Sequence, residues 1–146
     1  MCSSDLGGTI NSGAAVSSAD LSLTGCGSTL DVTRCGADEV AYIAAHEGGH
    51  WMGLYHPTEL FGDTFDPLSD TATCACTACA PASAQSHCIA NNANASSPTT
   101  MSGSWCTSST TCGGGDNLMF WVISSSSQGT LTSDQGLTMR SNPLVR

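Results

Sequence analysis

Three histidines and a glutamate around residue 50 are spaced as a metal site requires. His46 and His50 are four residues apart, so on a helix both imidazoles project from one face. Two imidazoles in that arrangement can hold one Zn²⁺ ion at about 2.0–2.1 Å each. Glu47 lies beside them, where it is better placed to hold a zinc-bound water than to act as a ligand. His56 follows six residues after His50 and is the candidate third ligand.

A third ligand at His56 requires a sharp turn of the chain. A straight helix continued beyond His50 would carry His56 away from the metal. Gly53 can adopt a positive φ and is therefore the predicted hinge. Three histidines leave one coordination position for water, which is typical of a catalytic rather than a structural zinc ion. The alternative is a helix whose histidines bind no metal, and a chance match to the five fixed residues is on the order of one in tens of thousands.

Two helices are predicted, one of which must carry the histidines. The first covers residues 37–52, with acidic residues in its first turn and Gly53 as the residue that ends it. Its apolar residues available for packing are Val40, Ile43, Ala44 and Trp51. The second covers residues 133–141, because Thr132 and Gln135 match a capping box at its start.

The remaining chain predicts little regular structure. Residues 57–100 contain Pro, Asp, Cys and Asn with little periodicity, as in loops. Short apolar stretches at residues 14–16 and 21–23 are candidate strands.

Length and charge restrict the class of protein. A chain of 146 residues is enough for one domain with one modest core. Twelve acidic residues against three arginines give a formal net charge of -9, which argues against binding to nucleic acid or to an anionic membrane surface. No apolar run approaches the ~20 residues that a membrane span needs.

Nine cysteines predict a secreted, disulfide-linked protein. Residues 1–6 resemble a translated sequencing adapter, so we treat them as a non-native start, and without Cys2 the cysteine count becomes an even eight. We therefore expect residues 7–146 to form a single catalytic domain, with a signal peptide and the first strands encoded upstream.

The pairing of the eight cysteines is open at this level. Cys26–Cys35 and Cys106–Cys112 are plausible local pairs. The densest group could instead hold a second zinc ion or an iron–sulfur cluster with four thiolates. That group consists of Cys74, Cys76, Cys79 and Cys88.

The pattern from His46 to His56 resembles the extended zinc-binding signature of the metzincin metallopeptidases. Members of that family have a methionine turn beneath the metal, and Met119 in Asn-Leu-Met-Phe is the matching residue; its alternative role is an ordinary core methionine. Gly62-Asp63 and the last helix are similar to the pappalysin and cytophagalysin group, whereas Pro57 resembles serralysins. Trp121 occupies the position where several metzincin branches have a tyrosine. Tryptophan has no hydroxyl, so the role of the tyrosine hydroxyl in those branches is not expected here.

The resemblance implies an α+β metzincin-like catalytic domain. It would have a small mixed sheet with the active-site helix, and an irregular disulfide-linked lower subdomain with a C-terminal helix. The implied function is a secreted zinc metalloendopeptidase that hydrolyses internal bonds of a protein or peptide substrate, with Glu47 taking the proton of the zinc-bound water. One alternative is a non-catalytic, zinc-containing, cysteine-rich extracellular binding module. Another is a fragment too short to act, because the substrate-binding edge strand lies upstream.

A calcium site is a further expectation from the resemblance to pappalysins. Asp63, Asp66 and Asp70 lie within eight residues, and Ca²⁺ takes six to eight oxygen ligands, some of them backbone carbonyls. The alternative is a solvated acidic loop whose aspartates cap turns.

Overall fold

The computed structural model describes residues 19–94, 96–107, 111–123 and 129–143. Four α-helices and two 3₁₀ helices lie in these ranges. The α-helices are α1 (Gly36–Trp51), α2 (Cys76–Cys79), α3 (Ala82–Gln85) and α4 (Ser133–Ser141), and the 3₁₀ helices are Ala19–Ser22 and Gly103–Trp105. Within the described residues the only β-pairing is two isolated bridges, Thr24 with Cys35 and Asn117 with Thr130.

The predicted strand at residues 21–23 is wrong. Leu21 lies in the 3₁₀ helix Ala19–Ser22, and the chain beyond it makes one bridge rather than a ladder. The Leu23 carbonyl accepts a hydrogen bond from the Gly36 N–H, and both leucines are exposed, so this stretch has neither a strand partner nor a buried face. The other candidate strand, at 14–16, and residues 1–6 lie outside the described residues. The small mixed sheet of the α+β fold stays a prediction.

The described chain divides into two compact units. One contains the residues up to Tyr55 together with those from Ser133 onward, and the other is His56–Thr132.

The chain enters α1 through a disulfide-closed loop in the first unit. Cys26 and Cys35 are bonded across a separation of nine residues, and the Gly25 N–H donates to the Arg34 carbonyl at 2.8 Å. Asp38 Oδ2, in the first turn of α1, accepts a hydrogen bond from the Asp31 N–H at 2.8 Å. The helix therefore begins at a fixed position, although Cys35 at its N-cap offers no side-chain cap.

α1 ends in a Schellman motif, as the prediction of a hinge at Gly53 requires. Gly53 has a φ of 96° and its N–H donates to the His50 carbonyl at 2.9 Å. The Leu54 N–H donates to the Gly49 carbonyl at 3.0 Å, and the Leu54 side chain is buried. These bonds satisfy carbonyls that the end of a helix would otherwise leave unpaired. The predicted helix and its end are confirmed to within one residue.

The buried face of α1 differs from the predicted one. Val40, Ile43 and Trp51 are half-buried and Ala44 is exposed. The buried residues are Gly36, Tyr42, His46, Glu47, Gly49 and His50. The polar histidine face, rather than the aliphatic face, therefore points into the protein.

The second helix of this unit confirms its predicted bounds. α4 covers Ser133–Ser141, and Gln135 is fully buried. The Thr132 hydroxyl donates to Asp70 Oδ1 at 2.8 Å. A capping role for Thr132 stays a prediction.

Disulfides form the core of the second unit. Three cross-links are Cys74–Cys106, Cys76–Cys88 and Cys79–Cys112. Their buried cysteines pack with Ala80, Met101 and Phe120 in one cluster. In its described residues this unit has α2, α3 and the 3₁₀ helix Gly103–Trp105 as its only helices, so its stability depends on cross-links that restrict the unfolded chain.

The observed disulfides test the predicted cysteine pairs. The pair Cys26–Cys35 is confirmed, whereas Cys106–Cys112 is wrong, because each of these residues has a more distant partner. A second zinc ion or iron–sulfur cluster on the dense cysteine group is also wrong, because all four sulfurs are in disulfides.

The helices of the described residues do not include a membrane-spanning candidate. None combines the length and the hydrophobicity needed to cross a bilayer.

Candidate metal centre

The structure gathers the three predicted histidines. One ring nitrogen from each of His46, His50 and His56 lies within 4.8 Å of the other two. His46 and His50 are buried and His56 is half-buried. Within the described residues this is the only group of at least three His, Cys, Asp or Glu side chains so arranged. The trio could therefore hold a metal ion.

The two helical histidines have the separation expected of neighbouring metal ligands. Their Nε2 atoms are 3.1 Å apart. Two nitrogens bound to zinc at about 2.05 Å and subtending a tetrahedral angle would be roughly 3.3 Å apart. The i, i+4 spacing on α1 thus brings both atoms close to the distance that one tetrahedral ion requires.

The end of α1 orients the His50 ring. His50 Nδ1 lies 2.8 Å from the Leu54 carbonyl oxygen. Because a carbonyl only accepts, Nδ1–H is the donor, and Nε2 of the neutral ring carries the lone pair that a metal needs. The Schellman motif that places Leu54 therefore also selects the His50 tautomer.

Among the described residues, Glu47 is a buried carboxylate with an unpartnered oxygen. It follows His46 on α1 and is buried, with 5% of its surface exposed. Its Oε1 atom is buried without a hydrogen-bond partner in the described structure. A buried polar atom without a partner is costly, so this oxygen fits a site that takes up water or a polar ligand.

His56 contacts a carboxylate that the sequence reasoning missed. His56 Nδ1 lies 3.0 Å from Glu59 Oε2. Metal-binding histidines commonly donate their other N–H to a carboxylate. The acidic residue three positions after His56 was therefore the sequence feature that could have indicated this contact. That signal is weak without a structure, since residues three apart in a loop need not meet.

The segment after His56 is fixed to the disulfide core of its unit. The Thr58 hydroxyl, fully buried, accepts a hydrogen bond from the Cys74 N–H at 3.0 Å. The Leu60 carbonyl accepts from the Met101 N–H at 2.8 Å, and the Gly62 carbonyl accepts from the Cys76 N–H at 3.0 Å. Three hydrogen bonds thus tie residues 58–62, which begin two positions after the third histidine, to the disulfide core.

Met119 lies in a tight turn. The Phe120 N–H donates to the Asn117 carbonyl at 3.0 Å, and Asn117 Oδ1 accepts from the Met119 N–H at 2.8 Å. The Met119 side chain is fully buried. Its role beneath a metal ion stays a prediction. Trp121 nearby donates its Nε1–H to the Met101 carbonyl at 3.0 Å.

The three aspartates proposed for calcium are not gathered into one group of ligand atoms within the described residues. Asp63 and Asp70 are exposed, and Asp70 accepts from Thr132. Asp66 Oδ1 accepts hydrogen bonds from the Thr71 hydroxyl and the Leu68 N–H, as in a capped turn. The calcium site stays a prediction that this arrangement does not support.

Burial raises the pKa of the Asp66 carboxyl above its ordinary value near 3.8. The hydrogen bonds from Thr71 and Leu68 oppose that shift, and the negative charge of Asp70 adds to it. The Asp66 Oδ2 atom is buried without a partner in the described structure.

The donor set fits a zinc ion. Three imidazole nitrogens are ligands that zinc takes in proteins, although imidazole also suits copper, iron and nickel. The geometry supports a metal site, and the identity of the metal rests on this chemistry.

Comparisons of the chain with protein-family models, with curated proteins and with solved structures found no match.

Proposed function

We propose that this protein is a secreted zinc endopeptidase. His46, His50 and His56 bind the metal, and Glu47 is the general base. One observation carries the proposal: three histidine nitrogens within 4.8 Å of one another occur with a buried, unpartnered carboxylate oxygen on the residue after His46. A structural zinc site has no need of that carboxylate.

The chemistry follows from the donor set. His46, His50 and His56 would hold the zinc ion, which would act as a Lewis acid on the scissile carbonyl and lower the pKa of water toward neutrality. Glu47 accepts the proton of the attacking water and returns it to the leaving amine. Burial of Glu47 strengthens this role, because bulk water does not screen its contact with the reacting water. The overall reaction consumes one water per peptide bond and yields a carboxylate and an ammonium group.

The disulfides support an extracellular location. Four disulfides occur in the described residues, and disulfides persist mainly in oxidising compartments. A secreted enzyme would keep these bonds, whereas cytosolic reductants would open them. The proposed substrate is a protein or peptide chain.

A second candidate is a non-catalytic, zinc-containing, cysteine-rich extracellular binding module. The disulfide-dominated core of the second unit favours it, because small secreted binding domains are commonly cross-linked in this way. A non-catalytic module does not require the buried Glu47 carboxylate, so the presence of Glu47 favours the enzyme.

The deciding experiment compares cleavage of an unfolded protein substrate by three zinc-loaded proteins. They are the wild type, Glu47→Gln and the matched control Glu39→Gln, which makes the same change at the start of the same helix. We expect the wild type and Glu39→Gln to cleave. Glu47→Gln should lose at least 100-fold in turnover, a typical contribution of general acid–base catalysis being about 10²–10⁴.

Zinc content separates the outcomes. Glu47→Gln should keep its zinc, because Glu47 is not a ligand in the proposed site. Equal cleavage by Glu47→Gln and the wild type would refute the mechanism. Zinc bound by all three proteins with no cleavage by any would favour the binding module.

A further inference from the structure

We propose that Glu59 is the positioning residue of the third metal ligand. It orients His56 for the metal as the Leu54 carbonyl orients His50. The inference rests on the metal site of the proposed function, and it assigns a role to a residue outside the ligand pattern.

In this contact the carboxylate must be the acceptor and the imidazole the donor, as the proposed role of Glu59 requires. His56 Nδ1 lies 3.0 Å from Glu59 Oε2, and an ionised carboxylate only accepts. Nδ1–H is therefore the donor, and Nε2 of the neutral ring is the nitrogen that binds the metal. A carboxylate acceptor also makes the imidazole a stronger ligand, because it stabilises the positive charge that the ring gains on binding.

His56 needs such a partner more than the helical histidines do. His46 and His50 are buried on a regular helix, whose backbone fixes the direction of their Cα–Cβ bonds. His56 lies beyond the end of α1, and its side chain is 17% exposed. The Glu59 carboxylate is a contact of its ring within the same loop.

Glu59 is held in a closed turn. The Gly62 N–H donates to the Glu59 carbonyl at 2.8 Å, and the Glu59 N–H donates to the Thr64 carbonyl at 3.0 Å. Gly62 has a φ of 63°, and a Cβ at that position would lie 2.7 Å from the Cys76 nitrogen. The turn can therefore approach the disulfide core only because residue 62 is glycine.

The same core anchors the turn on both sides of Glu59. Thr58 and Leu60 are hydrogen-bonded to Cys74 and Met101, respectively. The cross-linked unit thus fixes the backbone of Glu59, and Glu59 in turn fixes the ring of His56. Its carboxylate is 41% exposed, so solvent weakens the interaction, and we expect an effect at the lower end of the 10–100-fold range known for such partners.

The test measures metal affinity rather than peptidase activity. Zinc affinity is determined by competition with a chelator, and the ligand field is read from the visible spectrum of the cobalt-loaded protein. The variants are Glu59→Ala, Glu59→Gln and the control Asp116→Asn. Asp116 is an exposed acid of the same unit, so the control removes one negative charge from that unit without altering Glu59.

We expect Glu59→Ala to lose about tenfold in zinc affinity and to shift the cobalt spectrum. Glu59→Gln should recover part of the loss, because its amide oxygen still accepts the Nδ1–H bond. Asp116→Asn should stay within about twofold of the wild type, since solvent and salt screen an exposed charge. Thermal unfolding in excess chelator confirms that each variant is folded.

Unchanged affinity and an unchanged spectrum in folded Glu59→Ala would overturn the inference. Wild-type protein that binds neither zinc nor cobalt would overturn it too. Failure of the proposed function looks different: Glu59-dependent zinc affinity in a protein that cleaves nothing would keep this inference and reject the peptidase. Cleavage of substrate by a protein whose zinc affinity does not change in Glu59→Ala would keep the peptidase and reject this inference.

Discussion

Replacing Gly53 by alanine tests how the metal ligands depend on the end of α1. Gly53 has a φ of 96°, a conformation that disfavours a Cβ atom. The nearest atoms to that Cβ would be Asn142 Nδ2 at 3.6 Å and Thr138 Cγ2 at 3.9 Å, which are ordinary contacts. The penalty therefore comes from the backbone alone and is about 1–2 kcal/mol.

This penalty can lower either the free energy of unfolding or the zinc affinity, and the two quantities are measured separately. If the turn keeps its shape, the free energy of unfolding falls by about 1–2 kcal/mol. If the turn relaxes, the Leu54 carbonyl moves away from His50 Nδ1, and the loss appears in zinc affinity. Since 1.4 kcal/mol corresponds to a factor of ten, affinity would then fall by about 5–30-fold.

The matched control is Gly48→Ala on the same helix. A Cβ at Gly48 would have no atom within 4 Å, and the residue is in helical conformation. Alanine there should stabilise the protein by about 0.5–1 kcal/mol, because glycine is the poorer helix former. The same chemical change thus has opposite signs five residues apart.

The assay is urea unfolding with zinc and in excess chelator, together with zinc affinity by competition. Gly53→Ala should lose in stability, in affinity or in both, and Gly48→Ala should gain in stability. Wild-type stability and affinity in Gly53→Ala would refute the reasoning, because the left-handed turn would then be unnecessary.

Two further predictions concern the second unit. Thr58→Val removes the buried acceptor of the Cys74 N–H and should lower the free energy of unfolding in urea by about 1–3 kcal/mol. The control Thr73→Val, at an exposed position, should change it by less than about 0.5 kcal/mol. Equal effects of the two substitutions would contradict the assigned hydrogen bond. Because burial raises the pKa of Asp66, its contribution to stability is present below pH ~3.8 and is lost as pH rises through the folded pKa. Asp66→Asn should therefore become progressively more stable than the wild type as pH rises from acid toward neutral, and a pH-independent difference in unfolding free energy would show that the carboxyl is not perturbed.

Local features of the site could be predicted from the sequence. The spacing of His46 and His50 and the glycine at position 53 involve residues within one or two helical turns. Their geometry depends on backbone conformations that neighbouring residues largely determine. The bounds of α4 were predicted for the same reason.

Other features of the site could not be predicted. The buried face of α1 carries the histidines and Tyr42 rather than the aliphatic residues, because burial depends on what packs against the helix. The Glu59 contact depends on a loop whose shape is set by bonds to Cys74, Met101 and Cys76.

The three candidate metal-binding histidines, the helix that carries two of them and the turn that follows it could all be predicted from the sequence. Only the tertiary structure decided the disulfide partners, since Cys74–Cys106 and Cys79–Cys112 join residues 32 and 33 positions apart. The physical reason is the range of the interactions. Helix periodicity and a left-handed glycine act over a few residues, whereas the choice among distant cysteines depends on how the whole unit packs.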